Sequence, residues 1–260
     1  MTRLSNATLH LLPKAVARPG YDRSAVRAGI VHLGVGGFHR AHQAVFTDDC
    51  LRAGARDWGI TAASWRSPAT RDALAPQDGL YTLALRENDR QELRVVAAIG
   101  RILVAPEDPQ ALIAAMADPA VRIVSLTITE KGYGADLASG DLNLSDAAIQ
   151  HDLMNPGQPR SALGLVAAAL QRRRAAGVPP FTLLSCDNLA GNGQVLSRVL
   201  SQFAASTDAG FGRFVADEVA SPSCMVDRIV PATTDADRAL VAGRLGLADA
   251  WPVMAEPFCQ

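Results

Sequence analysis

Five groups of residues in this chain have types and spacings suited to chemistry. The first is Gly34, Gly36 and Gly37, which follow the apolar run Ile30, Val31, His32, Leu33 and precede a helical pattern opened by Phe38. A strand, a glycine turn and a helix in that order can hold the diphosphate of a dinucleotide. Gly34 permits the tight turn, and Gly36 and Gly37 let a phosphate reach the backbone. The free N–H groups and positive dipole end of the new helix then face the anion. His39 stands where G-x-G-x-x-G has its third glycine, and an ordinary strand-to-helix turn is the plain alternative.

The second group, residues 129–133, places Thr129, Glu130, Lys131 and Tyr133 just past an apolar strand. Thr129 and Glu130 are suited to contacting a cofactor near its nicotinamide ribose, while a solvated charged turn closed by Gly132 fits equally. In the third, Asp187-Asn188 with Asn192-Gly193, an Asn at a strand end offers a fixed donor that can polarise a carbonyl or hold an alkoxide. An Asx-turn and helix cap is the simpler use, and a cap on Asn192 leaves Asn188 free to point elsewhere. The fourth, Asp227-Arg228, sits in the apolar run 223–231, where a buried charge needs a partner. Either an internal ion pair locks the sheet, or Asp227 faces a substrate while Arg228 ties down structure. The fifth, His39 and His42, has a chelating spacing but no third or fourth ligand nearby, so no metal is expected. His32, inside its strand, reads as a hydrogen-bonded core residue.

Strands and helices alternate along the chain. Strands are expected near residues 30–33, 58–65, 80–86, 93–104, 121–128, 181–186 and 251–256, with an extended segment at 223–230. Residues 80–86 and 93–104 suggest a hairpin beside the main sheet. The first helix is expected from Phe38 to about Ala53. Others are expected near 68–74, from an Asp108-Pro109 start to Ala117, over 161–176, from the 187–193 loop to about Phe203, and over 211–220 and 235–245. Residues 135–160 read as polar loop, and residues 1–28 as an arm. This pattern predicts an α/β fold, a doubly wound, mostly parallel Rossmann-type sheet with helices on both faces, over residues 29–250. Ligands of such a sheet sit at the carboxyl ends of strands, which selects loops 34–38, 64–68, 129–133 and 187–193.

Composition removes several classes. A net charge of -1 argues against nucleic acid or an acidic membrane as the main partner. The one basic run, Arg172-Arg173-Arg174, reads as a solvated helix end complementing the dipole. Cys50, Cys186, Cys224 and Cys259 form no C-x-x-C pair and read as reduced thiols, which suggests the cytoplasm. No apolar run nears the ~20 residues that span a bilayer, and the N-terminus lacks a signal-peptide pattern.

Five segments together resemble the polyol-specific long-chain dehydrogenases, the family of mannitol 2-dehydrogenase and fructuronate reductase. They are Gly-Val-Gly-Gly-Phe-His-Arg-Ala-His (34–42), Gln-Asp-Gly-Leu-Tyr-Thr (77–82), Thr-Glu-Lys-Gly-Tyr (129–133), Ser-Cys-Asp-Asn (185–188) and Val-Asp-Arg-Ile-Val-Pro (226–231). The resemblance runs from about residue 30 to the last residue. It implies metal-independent hydride transfer between NAD(P) and a sugar alcohol or keto-sugar, of the mannitol-to-fructose type. Fructuronate or tagaturonate reduction is the alternative within the family. The expected cofactor-binding residues are Gly34, Val35, Gly36, Gly37, Phe38, His39 and Arg40, with Arg66, Thr129 and Glu130. The expected catalytic residues are Asn188, in the oxyanion hole, and Asp227, near nicotinamide and substrate. NAD is the first choice. Arg66, with the nearest acid only at Asp72, keeps a 2′-phosphate and hence NADP open.

The family's base is a lysine on a second, mostly helical domain, and the two lysines here, Lys14 and Lys131, do not match it. The chain is therefore expected to be the cofactor half of a longer enzyme, inactive alone, with residues 251–260 starting a second domain onto which it docks. A natural half-protein that has lost catalysis is the alternative. Leu189-Ala190-Gly191 departs from the bulkier family turn and could loosen Asn188. Two other readings compete: a methyltransferase, whose nucleotide lacks a diphosphate, and a sensor that binds dinucleotide without turnover.

Overall fold

A computed structural model of the protein describes residues 1–87, 90–136 and 139–260, with backbone alone for Arg90, Glu130 and Lys131. The strands are β1 (Ala28–Leu33), β2 (Gly59–Ser64), β3 (Tyr81–Glu87), β4 (Arg90–Val96), β5 (Ile99–Val104), β6 (Ile123–Leu126), β7 (Thr182–Ser185) and β8 (Val253–Ala255). The helices are α1 (Gly37–Ala41), α2 (Gln43–Arg52), α3 (Ala69–Leu74), α4 (Pro109–Ala117), α5 (Ala147–Met154), α6 (Ala162–Ala175), α7 (Asn192–Thr207), α8 (Ala209–Glu218) and α9 (Asp235–Leu245).

Five strands form one sheet in the order β5-β2-β1-β6-β7, and three form another in the order β4-β3-β8. β1 runs parallel to β6, with Ile30 opposite Ile123 and Leu33 opposite Leu126, and β6 runs parallel to β7. The order reverses direction between β1 and β6, the switch point where an open α/β sheet offers its ligand crevice. This is the Rossmann-type α/β sheet, flanked by helices, that the alternating pattern predicts. The apolar residues of β1 explain its place: Ile30, Val31 and Leu33 are all buried, which a strand covered on both faces requires.

The chain divides into two compact units. The first comprises residues 1–28, 35–102 and 227–260. Its β3–β4 hairpin, Tyr81 opposite Val96, is the predicted one, whereas β5 leaves it for the larger sheet. The β8 strand, Val253–Ala255, pairs parallel with β3 in the smaller sheet. Residues 1–28 are more than an arm. Leu4, Leu12 and Val16 are buried in a cluster with Leu80, Leu93, Val95, Val241, Leu245 and Met254. The helix expected from Phe38 to Ala53 breaks at His42, whose φ of -120° and ψ of -96° separate α1 from α2. Residues 223–230 are extended but join no ladder.

The second unit comprises residues 29–34 and 103–226. Its α4 starts as predicted, with the Asp108 side chain accepting from Ala111 N and Pro109 in the first turn. Two expectations change. Within 135–160, α5 forms behind an Asp146 cap, and its buried Asp152 accepts the N–H groups of Arg160 and Ser161. The basic run at the end of α6 is not wholly solvated either. Arg173 is buried, donating to Met116 O, Asp118 O, Val121 O and Pro179 O and lying over the Phe181 ring. A guanidinium with five N–H groups can gather several loop carbonyls at once, which spacing along one helix does not reveal.

Candidate functional site

In the second unit the site is built at the ends of β1, β6 and β7. Gly34 ends β1 with φ +103°, and a Cβ there would lie 2.1 Å from Thr127 O. Only glycine allows both that angle and that approach. The Thr127 hydroxyl donates to Gly34 O at 2.7 Å. His32, fully buried, joins the same network through Ser125 Oγ at 2.8 Å and Thr127 Oγ1 at 2.9 Å. Its predicted role as a hydrogen-bonded core residue holds, and its bonds bind β1 to β6 at the switch point.

The loops after β6 and β7 are held together by one carboxylate. Asp187 accepts Ile128 N at 3.2 Å, Thr129 N at 3.1 Å and the Tyr133 hydroxyl at 2.6 Å. Tyr133 OH also meets Ser185 Oγ at 2.5 Å. Burial, and then the neighbouring Asp187 charge, push the Tyr133 phenol well above its ordinary range, so it stays a neutral donor. Thr129 has φ +66° and ψ 160°, a conformation costly for a β-branched residue. Its side chain is exposed, and the clamp on its N–H holds the backbone in that state. Glu130 lies in the single helical turn Glu130–Tyr133, and its side chain is outside those described.

Asn188 and Asn192 separate cleanly. Asn188 is exposed at the end of β7. Asn192 is fully buried, donates to Asp187 O at 3.0 Å and Cys224 O at 2.9 Å, and accepts Cys224 N at 3.0 Å. It does not cap α7; Gly191, with φ +63°, occupies the cap position, and Asn192 ties the helix start to residues 223–224 instead. An amide that can donate and accept at once suits a bracket around one residue's backbone.

In the first unit, Gly36 stands at the cap of α1 and is exposed, with Gly37 and Phe38 partly exposed behind it. Val35, His39 and Arg40 are buried. A Cβ on Gly37 would meet only Val230 Cγ1 at 3.5 Å and Val253 Cγ2 at 3.9 Å, ordinary contacts. Packing among the described residues does not demand glycine there. Arg40 donates to Trp251 O at 2.5 Å, lies over the Tyr81 ring and accepts the Tyr81 hydroxyl at its carbonyl. Burial pulls its pKa below the usual guanidinium range. Its guanidinium is thus engaged inside the unit. His42 stacks on Phe38 and bonds Gln260 O at 2.6 Å, so its ring anchors the chain rather than chelating with His39. Among the described residues no group of three or more His, Cys, Asp or Glu is placed to hold a metal ion.

Asp227 and Arg228 are adjacent but face differently. Arg228 is buried, donating to Ala41 O at 2.5 Å and twice to Glu256 O. The ion-pair version of this motif fails, because backbone carbonyls are the acceptors. Asp227 exchanges backbone bonds with Gln260 and exposes its side chain. Arg66, past the end of β2, is exposed as well. Tyr133 and Asp187 are the positioning residues that spacing did not single out as partners; 54 residues separate them, and nothing local marks the pairing.

Residues 28–260 match the family described as the mannitol dehydrogenase Rossmann domain. Mannitol 2-dehydrogenase of Cereibacter sphaeroides is 47% identical over 252 residues, covering 96% of this chain and 52% of that protein. The Pyricularia oryzae protein of the same name is 43% identical, covering 95% and 50%. Among solved structures, the Pseudomonas fluorescens mannitol 2-dehydrogenase ternary complex with NAD and D-mannitol superimposes with a TM-score of 0.96. It is 45% identical and covers all of this chain and 54% of that one. A D-sorbitol dehydrogenase in substrate-free form gives a TM-score of 0.94 at 37% identity. The chain spans about half the length of the curated relatives it matches. By sequence and by fold, this chain belongs to the mannitol dehydrogenase family, through its Rossmann domain.

Proposed function

We propose that this chain is the cofactor-binding part of an NAD-dependent polyol dehydrogenase that interconverts a sugar alcohol and its ketose, of the mannitol-to-fructose type. The observation that carries this reading is the full-length superposition, at 45% identity, on a relative solved with NAD and D-mannitol. The residues fit a dinucleotide. Gly34 is required by its contact with Thr127, but nothing among the described residues requires Gly37 to lack a side chain. The close approach of a phosphate supplies that reason. The amides of Gly37 and Phe38, in the first turn of α1, would hold the diphosphate, while Val35, His39 and Arg40 act from inside by fixing that turn.

When bound, NAD would supply the acceptor for a hydride from the carbinol carbon. The chain's own part is orientation. Asn188, exposed beside the Asp187 clamp, would donate its amide N–H to the reacting oxygen. Thr129 and Glu130 would contact the cofactor near the nicotinamide ribose, and Asp227 would lie at the substrate. Arg66 is placed past β2, where a 2′-phosphate would be met, so NADP is the second cofactor to try. The free state of all four cysteines fits a reducing compartment, and we place the protein in the cytoplasm.

NADH fluorescence titration of residues 1–260 tests the reading. Saturable binding is expected, weakened at least tenfold by Gly37→Ala with an unchanged melting temperature. Binding of S-adenosylmethionine in place of NADH would overturn it. Mannitol-dependent NAD reduction, assayed in the shortest active chain containing these residues, tests the substrate. Reduction of fructuronate alone would move the assignment to a keto-acid.

A further inference from the structure

The four cysteines are scattered along the chain, yet the fold brings two of them together at the end of β7. Cys186 directly follows that strand and is 6% exposed, whereas Cys224 is only partly buried. The Cys224 thiol donates to Ser185 O at 2.7 Å, the carbonyl of the residue just before Cys186. Across a planar peptide that oxygen lies about 2.8 Å from the next Cα, so Cys224 Sγ is within about 5.5 Å of Cys186 Cα. Cys224 is held there firmly: Asn192 brackets its N–H and C=O, and a Cβ on Gly193 would strike the Ser221 and Pro222 backbone at 2.4–2.5 Å. A disulfide holds its two Cα atoms about 4.4–6.8 Å apart, so a Cys224 sulfur this near the Cys186 Cα lies within side-chain reach of the Cys186 thiol.

We propose that Cys186 and Cys224 form a paired dithiol that closes to a disulfide under low-molecular-weight disulfide oxidants, pinning residues 221–226 to the end of β7. Cys224 is the more exposed of the two residues and Cys186 is buried, the asymmetry of dithiol exchange centres. Burial and the neighbouring Cys224 charge push the Cys186 thiol up, so attack begins at Cys224. The Cys224 thiolate attacks one sulfur of oxidised glutathione, forming a mixed disulfide and expelling one glutathione thiolate, which takes up the proton Cys224 released. The Cys186 thiol loses its proton and attacks the Cys224 sulfur, and the second glutathione thiolate leaves and is protonated. Two protein thiols are oxidised, and one glutathione disulfide is reduced to two thiols. The chemistry is independent of the substrate assigned above. Its consequence falls on that site, since the Asn192 bracket on Cys224 begins α7, immediately after the loop that carries Asn188.

The chain incubated with oxidised glutathione, blocked with iodoacetamide and digested with trypsin tests this. The expected product links the peptide 175–198, containing Cys186, to the peptide 214–228, containing Cys224, also in a Cys50→Ser, Cys259→Ser background. Cys186→Ser should retain a glutathione adduct on Cys224, and Cys224→Ser should leave Cys186 unmodified. Amide hydrogen exchange over 222–226 should slow at least tenfold on oxidation and recover with dithiothreitol. Carbamidomethylated Cys186 and Cys224 after oxidation, or either one linked instead to Cys50 or Cys259, would overturn the pairing. A correct link with unchanged exchange would overturn the pinning.

Discussion

Arg228 in the first unit and Asp187 in the second each sit one residue from a side chain assigned to chemistry, and they do the same work with opposite charge. Arg228 gathers the carbonyls of Ala41 and Glu256. Asp187 gathers the amides of Ile128 and Thr129 and the Tyr133 phenol. Their neighbours Asp227 and Asn188 are exposed. In both motifs, then, one polar residue is anchored by fixed backbone groups so that the next one projects. The difference lies in what is anchored. Arg228 fastens two distant stretches of chain within a packed interior. Asp187 holds a strained loop, with Thr129 at positive φ, at the open ends of strands. Each motif therefore holds an anchored member and an exposed one to which the proposed chemistry belongs, and stability should separate them.

The largest expected effect comes from removing Arg228. Arg228→Met strands buried carbonyls without donors and should destabilise the protein by about 3 kcal/mol in urea unfolding. Asp227→Asn, one residue away, should change stability by less than about 0.5 kcal/mol while lowering mannitol turnover of the active protein. Equal losses of stability would erase the distinction between anchor and projecting residue.

The asparagine pair sharpens the same contrast in the second unit. Asn192→Ala removes hydrogen bonds to Asp187 O and to both backbone groups of Cys224, a loss of about 2 kcal/mol by chemical denaturation. Asn188→Ala should unfold like the parent protein, within about 0.5 kcal/mol, with NADH binding retained and kcat reduced.

Tyr133→Phe asks how much of the Asp187 clamp depends on the phenol. It deletes one hydrogen bond to a carboxylate and one to Ser185, for about 1.5 kcal/mol by thermal or urea unfolding. The two amides still hold Asp187, so hydrogen exchange at Thr129 should rise only modestly. Complete loss of protection there would make Tyr133, not Asp187, the centre of the clamp.

What could be read from the chain alone follows the range of the interaction. The Asp108-Pro109 helix start and the span of α9 depend on neighbours a few residues away, and each lies where the pattern puts it. The expectations that changed depend on distant groups. Arg173 looks like part of a solvated run until the carbonyls of residues 116–121 are brought to it. Asn192 reads as a cap until residue 224 arrives, and the thiols of Cys186 and Cys224 seem unrelated while 37 residues lie between them. The adjacency of Asp227 and Arg228 invites an ion pair, but the fold offers the guanidinium carbonyls from residues 41 and 256 instead. Local propensity reveals elements and turns; partners fixed by tertiary contact are not encoded in spacing.

The smallest effect tests whether the first unit's anchors are purely neutral contacts. His42 bonds Gln260 O through Nε2, which must carry the proton because a carbonyl only accepts, and its Nδ1 is buried without a hydrogen-bond partner among the described residues. Burial lowers its pKa below that of an exposed histidine, helped by the Arg228 charge and opposed by the Gln260 bond. Protonation therefore favours the unfolded chain. The stability tied to neutral His42 is fully present above about pH 6.5, the unfolded value, and falls as acid drops the pH toward the lower folded value. His42→Gln keeps an N–H donor for Gln260 but cannot titrate. The difference in unfolding free energy between wild type and His42→Gln should shift between pH 7 and pH 5, in the direction that penalises the wild type at low pH. Urea melts of both proteins across that range measure it. A flat difference would mean that folding leaves the His42 equilibrium unchanged, and one that grows in favour of the wild type on acidification would mean that the ring is charged in the fold and that this anchor resembles Arg228 rather than a neutral bond.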